Sequence, residues 1–328
     1  MQQAKSAHIL VAENLTKSYD GKLALRGLSF SLEAGHIMGF LGPNGAGKTT
    51  AIRILTTIFE PTSGQFYVDG ISSVHPEQIR RRIGVLPESL GFPKHMTGIE
   101  FLSYFGQHYG YKPATAKDKA IKLLEEVGLA EKGKAEIGTY SRGMRQRLGI
   151  ARTLVNDPVV VFLDEPTLGL DPRGKMELLA LVKRIAGERN AGVIFCSHLL
   201  TEVEELCNDV VILREGQIVT TGTVRDVVER GNRNMIRVRS VKENLAAARQ
   251  VLTGMPGIAA ISSDNGKSDI LEMHTEEWIV KNSPDDVQLK NRILNSLMQA
   301  GVPVLNFDAD SGSRLQDIFF QLTEDIKS

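Results

Sequence analysis

The sequence predicts an α/β protein with a second, smaller α+β unit at its C-terminal end. Three observations carry that prediction. A glycine-rich loop, GPNGAGKTT at 42–50, follows an apolar run at 37–41 and opens a helical pattern. Further short apolar runs, at 159–163 and 193–196, alternate with helical segments, as strands buried on both faces of a parallel sheet do. Beyond residue 232 the order becomes strand, helix, two strands, helix, strand, helix, which suits a small sandwich of the ferredoxin-like kind.

Residues 8–41 read as short alternating strands with turns between them, Asp20-Gly21 being the strongest turn signal. A helix is predicted over 48–58, stopped by Pro-Thr-Ser-Gly at 61–64, with a strand over 64–68. The stretch 98–128 is helical, with Ile121, Leu124 and Val127 at helical spacing, and 142–155 forms a further helix. Helix, strand and helix alternate over 174–207, and 210–213 with 217–220 forms a hairpin around Glu215-Gly216. The second unit reads strand 236–238, helix 243–252, strands 259–262 and 269–274, helix 287–300, strand 304–308 and helix 315–326. The Arg-Gly-Asn-Arg-Asn stretch at 230–234 marks the boundary, giving domains at 7–231 and 232–328.

Composition narrows the function classes. The chain of 328 residues has 39 Lys+Arg against 39 Asp+Glu, and this zero balance argues against broad nucleic-acid binding, which needs a basic surface. The cysteines, Cys196 and Cys207, form neither a C-x-x-C pair nor a zinc-spaced cluster, and read as reduced thiols of a cytosolic protein. No signal segment is visible, and no stretch approaches the roughly 20 apolar residues of a membrane helix. If the protein works at a membrane, another subunit supplies the span.

Gly42-Pro43-Asn44-Gly45-Ala46-Gly47-Lys48-Thr49-Thr50 fits G-x-x-x-x-G-K-[ST]. Its glycines let successive backbone N–H groups turn inward around phosphate oxygens, and the helix starting at Lys48 points its positive end at the same place. Lys48 would reach the β- and γ-phosphates, and Thr49 would offer its hydroxyl to Mg²⁺. The run 159–163 ends in Asp164-Glu165, and ligands of parallel sheets lie at the carboxyl ends of strands. Asp164 there suits Mg²⁺, and Glu165 suits polarising an attacking water. His198 follows the run 193–196 and Ser197, so it too lies at a strand end, where it can contact a γ-phosphate or serve only the structure.

The order of these motifs across 7–231 resembles the ATP-binding subunit of an ATP-binding-cassette (ABC) transporter. The Walker A loop is 42–50 and the Walker B strand runs 159–165. The signature segment corresponds to Tyr140-Ser141-Arg142-Gly143-Met144, the D-loop to Gly169-Leu170-Asp171, and the switch histidine to His198. Tyr19, ahead of the first hairpin, falls where the family stacks an aromatic on adenine. The resemblance implies a P-loop NTPase domain of ABC type, with a mixed sheet core, an antiparallel β subdomain and a helical subdomain. It implies ATP and Mg²⁺ as cofactors and a head-to-tail dimer, homo- or heteromeric. In that dimer Ser141, Arg142, Gly143 and Asp171 reach the nucleotide of the other subunit. It further implies an integral-membrane permease as partner, and with it a place in the cytoplasm, peripheral at the inner face of the membrane.

Arg142 stands where the family has the first of two adjacent glycines, Met144 where it has glutamine, and Glu88 where it has the Q-loop glutamine. These departures resemble the exporter branch that handles drugs and polysaccharides, as does the closing segment 313–323. Glu88 is accordingly expected to contact Mg²⁺ and water. The readings weighed are an ATP hydrolase driving export, a soluble non-transport ABC-type ATPase, and a nucleotide-binding regulator without turnover. One cassette without sustained heptads or zinc spacing disfavours the second. The presence of both Glu165 and His198 disfavours the third.

Overall fold

A computed structural model describes residues 8–89, 91–231, 235–263, 270–275, 279, 283–308 and 315–323. The chain divides into two compact units. The first comprises Met1–Val224 with Phe319–Ser328, and the second Arg225–Ile318. This departs from the division at 231/232 read from the turn-rich stretch. A run of turn residues marks where regular structure pauses, whereas a unit is defined by which segments pack together. Residues 7, 232–234, 269, 313–314 and 324–326, on which some expected boundaries fall, lie outside the described residues.

The first unit opens with an antiparallel sheet, β1 (His8–Tyr19), β2 (Lys22–Glu33), β4 (Ser63–Val68) and β5 (Ile71–Ser72), in the order β2-β1-β4-β5. β1 and β2 are single strands of 12 residues rather than several short ones. Their pairing shifts register on either side of Asn14 and Leu15, and Asn14 has φ 50°, so a bulge interrupts the alternation that signals a strand. Asp20-Gly21 joins them with φ 47° and 81°, and Glu215-Gly216 joins the later hairpin with φ 49° and 78°. Positive φ at both central residues is the two-residue turn that matches strand twist.

The second sheet has six strands in the order β10-β9-β3-β8-β7-β6. These are β3 (Ile37–Leu41), β6 (Ile83–Leu86), β7 (Val160–Asp164), β8 (Gly192–Cys196), β9 (Asp209–Arg214) and β10 (Gln217–Thr223). All neighbours pair in parallel except β9 with β10. β3 and β8 are buried at every position, which is why they read as continuous apolar runs. One core spans both sheets, with Leu10, Leu25, Phe40, Ile54, Val160 and Ile194 fully buried.

α1 (Lys48–Leu55) ends earlier than predicted, because Thr57 turns to φ 63°. The helical stretch 98–128 is two helices, α3 (Gly98–His108) and α4 (Pro113–Glu126), parted by Gly110 at φ 94° and by Pro113 at the first helical position. Thr97 and Glu100 close a reciprocal capping box at the start of α3. After α2 (Pro76–Arg80), the remaining helices of this unit are α5 (Arg142–Thr153), α6 (Pro172–Arg189) and α7 (Leu200–Leu206).

In the second unit, after α8 (Val224–Gly231), the elements are β11 (Met235–Ser240), α9 (Leu245–Leu252), β12 (Ile258–Ser263), β13 (Ile270–Thr275), α10 (Pro284–Gln299) and β14 (Val304–Asp308). The sheet is antiparallel in the order β12-β13-β11-β14. That is the βαββαβ ferredoxin-like arrangement, its two central strands being the first and third. Val238, Leu252, Met273, Leu289, Ile293 and Leu297 form its core. The closing helix, α11 (Leu315–Thr323), buries Leu315 and Ile318. Among the described residues no helix is long and apolar enough to cross a membrane.

Candidate active site

The carboxyl ends of four parallel strands deliver the candidate residues to one place. β3 runs into the loop Gly42–Lys48, β7 ends at Asp164 and Glu165, β8 leads to Ser197 and His198, and β6 leads through Pro87 to Glu88. Sheet register aligns them: Phe40 pairs with Cys196, Asp164 with Cys196, and Leu86 with Leu163. Residues 42–50, Glu88, Asp164, Glu165 and His198 line a single cleft of about 1010 Å³. Four stretches of sequence, the outermost at Gly42 and His198, thus become one site, as the crevice rule for parallel sheets requires.

The loop is built for an anion. Gly47 has φ 103°, and a methyl there would meet the Ala24 carbonyl at 2.9 Å, so only glycine fits. Gly45 has φ 82° with open space beside it. Gly47 also caps α1, and no side chain accepts from the first-turn N–H groups, which leaves the positive end of the helix available to a ligand. The Lys48 ammonium folds back onto the carbonyls of Gly42 and Pro43, the latter at 3.2 Å. Burial lowers its pKa, against the opposing influence of Cys196, Glu165 and Asp164.

Asp164 is the electrostatic counterpart. Burial is the main cause of its raised pKa, reinforced by the charges of Glu88 and Glu165 and opposed by Lys48 and Arg53. A carboxylate held so is relieved by an added cation. Among the described residues no three His, Cys, Asp or Glu side chains are grouped to hold a metal unaided. Asp164 with the Thr49 hydroxyl suits Mg²⁺ instead, which keeps waters and takes phosphate oxygens beside one or two carboxylates.

Glu165 takes φ 49°, a strained backbone for a non-glycine residue. Its N–H donates to the Cys196 carbonyl at 3.0 Å, which fixes the turn out of β7. Its Oε2 lies 2.7 Å from Nδ1 of His198. The pair joins two strand ends through side chains and lies on the wall of the cleft.

The residues expected to act on a second subunit's nucleotide lie elsewhere. Ser141, Arg142, Gly143 and Asp171 do not line the cleft. Ser141 caps α5, its hydroxyl accepting from the Met144 N–H at 3.2 Å. The Arg142 guanidinium packs on Gly169, where a methyl would overlap it. Asp171 occupies the cap position of α6, ahead of Pro172. The signature segment and D-loop are therefore neighbours within the chain. Gln146 of α5 adds a hydrogen bond to the Pro166 carbonyl at 2.8 Å.

Tyr19 does not line the cleft either. It is 42% exposed, packs edge-on to Phe59 at 6.2 Å and has the Lys17 ammonium 5.3 Å from its ring centre. Ala24, Arg53 and Ile58 line the cleft instead. Arg53 escaped the sequence reading, although its position four residues after Thr49 places both on one face of α1. The two thiols are free and buried, and burial pushes both upward in pKa. They are poor nucleophiles.

Comparison with known proteins agrees with this geometry. Residues 25–168 match the ABC transporter family. The chain is 32% identical over 314 residues to YxlF of Bacillus subtilis (strain 168), an uncharacterized ABC transporter ATP-binding protein, covering 96% of this chain and 99% of that one. It is 31% identical over 311 residues to the daunorubicin/doxorubicin resistance ATP-binding protein DrrA of Streptomyces peucetius, covering 94% and 90%. A solved ATP-binding subunit of an ABC transporter superposes with TM-score 0.60 at 29% identity, over 68% of this chain and 92% of that one. With a phosphate loop, paired strand-end acids and a histidine on one cleft, and with relatives that match nearly end to end, the chain belongs to the ABC transporter ATP-binding proteins and is an ATP hydrolase of that family.

Proposed function

We propose that this protein powers export through a separately encoded membrane permease, working as a head-to-tail dimer at the inner face of the membrane. The observation that carries the reading is the division of the site. One chain brings the phosphate loop, Asp164, Glu165 and His198 to a single cleft, while Ser141, Arg142, Gly143 and Asp171 lie off it. A second copy must supply the latter set, so a homodimer would hold two equivalent sites. The export direction draws on DrrA, named for drug resistance, with which the chain aligns over 94% of its length.

In this reading ATP lies along the loop 42–50, with Lys48 on its terminal phosphates and Mg²⁺ held by Thr49 and Asp164. The ion supplies charge neutralisation for the transferring phosphoryl group. Glu165 takes a proton from the attacking water, and His198, held through Nδ1, orients it against the γ-phosphate. Glu88 lies close enough to raise Asp164, and so contributes to the field at the ion. Tyr19, packed edge-on to Phe59, is the aromatic assigned to adenine. In this reading the first unit is the cassette, and the second, Arg225–Ile318, is an accessory domain.

The test is Glu165→Gln. Turnover should fall by roughly 10²–10⁴-fold while ATP binding survives, and the variant should run as a dimer in gel filtration with saturating Mg·ATP. A variant that stays monomeric under those conditions overturns the two-chain site.

A further inference from the structure

Glu202 is a charged side chain in the protein interior. It sits in the first turn of α7 and is 5% exposed. An ionised carboxylate is stable there only when hydrogen-bonded and paired. Its Oε2 accepts from the Thr167 hydroxyl at 2.7 Å and from the Ser197 hydroxyl at 2.9 Å. Its Oε1 makes no hydrogen bond and faces the Lys175 ammonium of α6 at 3.5 Å. Ser197 completes its own bonding by accepting from the Leu199 N–H at 3.1 Å. Both hydroxyl protons are therefore committed to Glu202.

The two hydroxyls belong to the segments that carry the chemistry. Ser197 precedes His198, and Thr167 lies between Glu165 and Asp171. Both are buried, at 2% and 1% exposure. Backbone already joins these segments, through the β7–β8 ladder and from the Glu165 N–H to the Cys196 carbonyl, and the Glu165 and His198 side chains meet at 2.7 Å on the cleft wall. Glu202 adds a buried tie through the two hydroxyls, away from the exposed His198. The strand ladder ends at Asp164 and Cys196, so beyond it the orientation of the two loops rests on side chains, and Glu202 supplies the buried ones. The Thr167 segment also receives Gln146 at Pro166, so the pinned element runs from the switch histidine to the helix behind the signature.

We propose that Glu202 is a positioning residue for ATP hydrolysis, pinning the segment of His198 to the segment of Glu165 and the D-loop. The inference rests on the roles given to Glu165 and His198 above. Misplacing a reacting group by about 1 Å costs on the order of 10²-fold in rate. Loss of the pin should therefore appear in turnover rather than in nucleotide affinity, since the hydrogen bonds and ion pair of Glu202 go to Thr167, Ser197 and Lys175.

The experiment compares Glu202→Ala, Glu202→Gln and Thr167→Val in the full chain, measuring kcat, the KM for ATP and direct ATP binding. Glu202→Ala should lower kcat by about 10- to 100-fold, with ATP affinity within about twofold of wild type. Glu202→Gln keeps an oxygen for both hydroxyls and should restore most of the rate. Thr167→Val, which keeps the shape and removes one bond, should fall between. A kcat of Glu202→Ala near wild type overturns the proposal, as does equal loss in the Ala and Gln variants. A parallel loss of kcat and affinity in both Glu202→Ala and Thr167→Val would mark a merely structural group and overturn it too. Glu165→Gln separates the levels. If it is inactive while Glu202→Ala is normal, only the pin fails; if it is active, the assignment of the site itself fails.

Discussion

The phosphate-loop side and the signature side of the cassette use the same physical devices to different ends. Each opens on a helix N-terminus: α1 behind Gly47, which no side chain caps, and α5 behind Ser141, whose hydroxyl caps it. On the phosphate-loop side the device is surrounded. Lys48, Asp164, Glu165 and His198 converge within one cleft, burial lowers the pKa of Lys48 and raises that of Asp164, and Glu165 takes strained backbone. On the signature side it stands alone. Ser141 is exposed, Arg142 packs on the D-loop at Gly169, and no catalytic carboxylate is near enough to be bonded to either. The difference teaches that one side gathers its polar groups into a cleft, while the other leaves Ser141 and Arg142 on the surface. A ligand that requires both must be shared between copies.

The sharpest way to break that comparison is Ser141→Arg. The substitution places bulk and charge on the presented surface without touching the cleft. Turnover should drop by about 100-fold or more, as for lost transition-state contacts, while ATP binding by the phosphate loop stays within about twofold. Equal loss of both, in a titration beside a steady-state assay, would mean that the two sides are not separable.

Glu88→Gln probes the cleft side. It removes one of the charges that raise Asp164, and so weakens the pull on a divalent ion. The Mg²⁺ concentration for half-maximal hydrolysis should rise several-fold, on the order of 1 kcal/mol of lost attraction. Identical Mg²⁺ curves and rates in both proteins would remove Glu88 from the metal's surroundings.

Gly169→Ala addresses the contact between Arg142 and the D-loop. Gly169 has φ 69°, so alanine there should destabilise by about 1–3 kcal/mol. The overlapping guanidinium is the far end of a flexible side chain and can swing aside. Thermal unfolding measures the strain, and turnover measured well below the transition reports whether Arg142's position matters.

The smallest effect is on stability. Because Asp164 is raised in the folded chain, its ionised form is less favourable there than in the unfolded chain. The penalty is absent below the ordinary aspartate range near pH 4. It sets in as pH rises through that range and is complete above the raised folded value. Asp164→Asn should therefore raise the Tm of the nucleotide-free protein at pH 7 by about 2 °C or more, and by less at pH 4, while abolishing Mg²⁺-dependent hydrolysis. A Tm difference independent of pH would remove the electrostatic cause.

The second unit was legible in outline because its antiparallel sheet and two helices follow plain periodicities, and each element predicted over 236–308 has a counterpart there, whereas the closing helix runs from the second unit into the first at Phe319. The cassette was legible for a different reason. Its phosphate loop and its Asp164-Glu165 pair are contiguous, and their backbone demands are local: glycines at positive φ, a strand that ends, a helix that begins. Such demands are written in neighbouring residues, so sequence alone determined the loop, the acids and the class of fold. The placement of Tyr19 against Phe59, of Arg142 on Gly169 and of Arg53 on the cleft was decided by tertiary structure, as was the division of the units at Val224. So was the bridge from Glu202 to Thr167 and Ser197, which looks in sequence like one acid among several on an ordinary amphipathic helix. These depend on register between strands distant in the chain, and register is fixed only when the whole sheet has closed over its core.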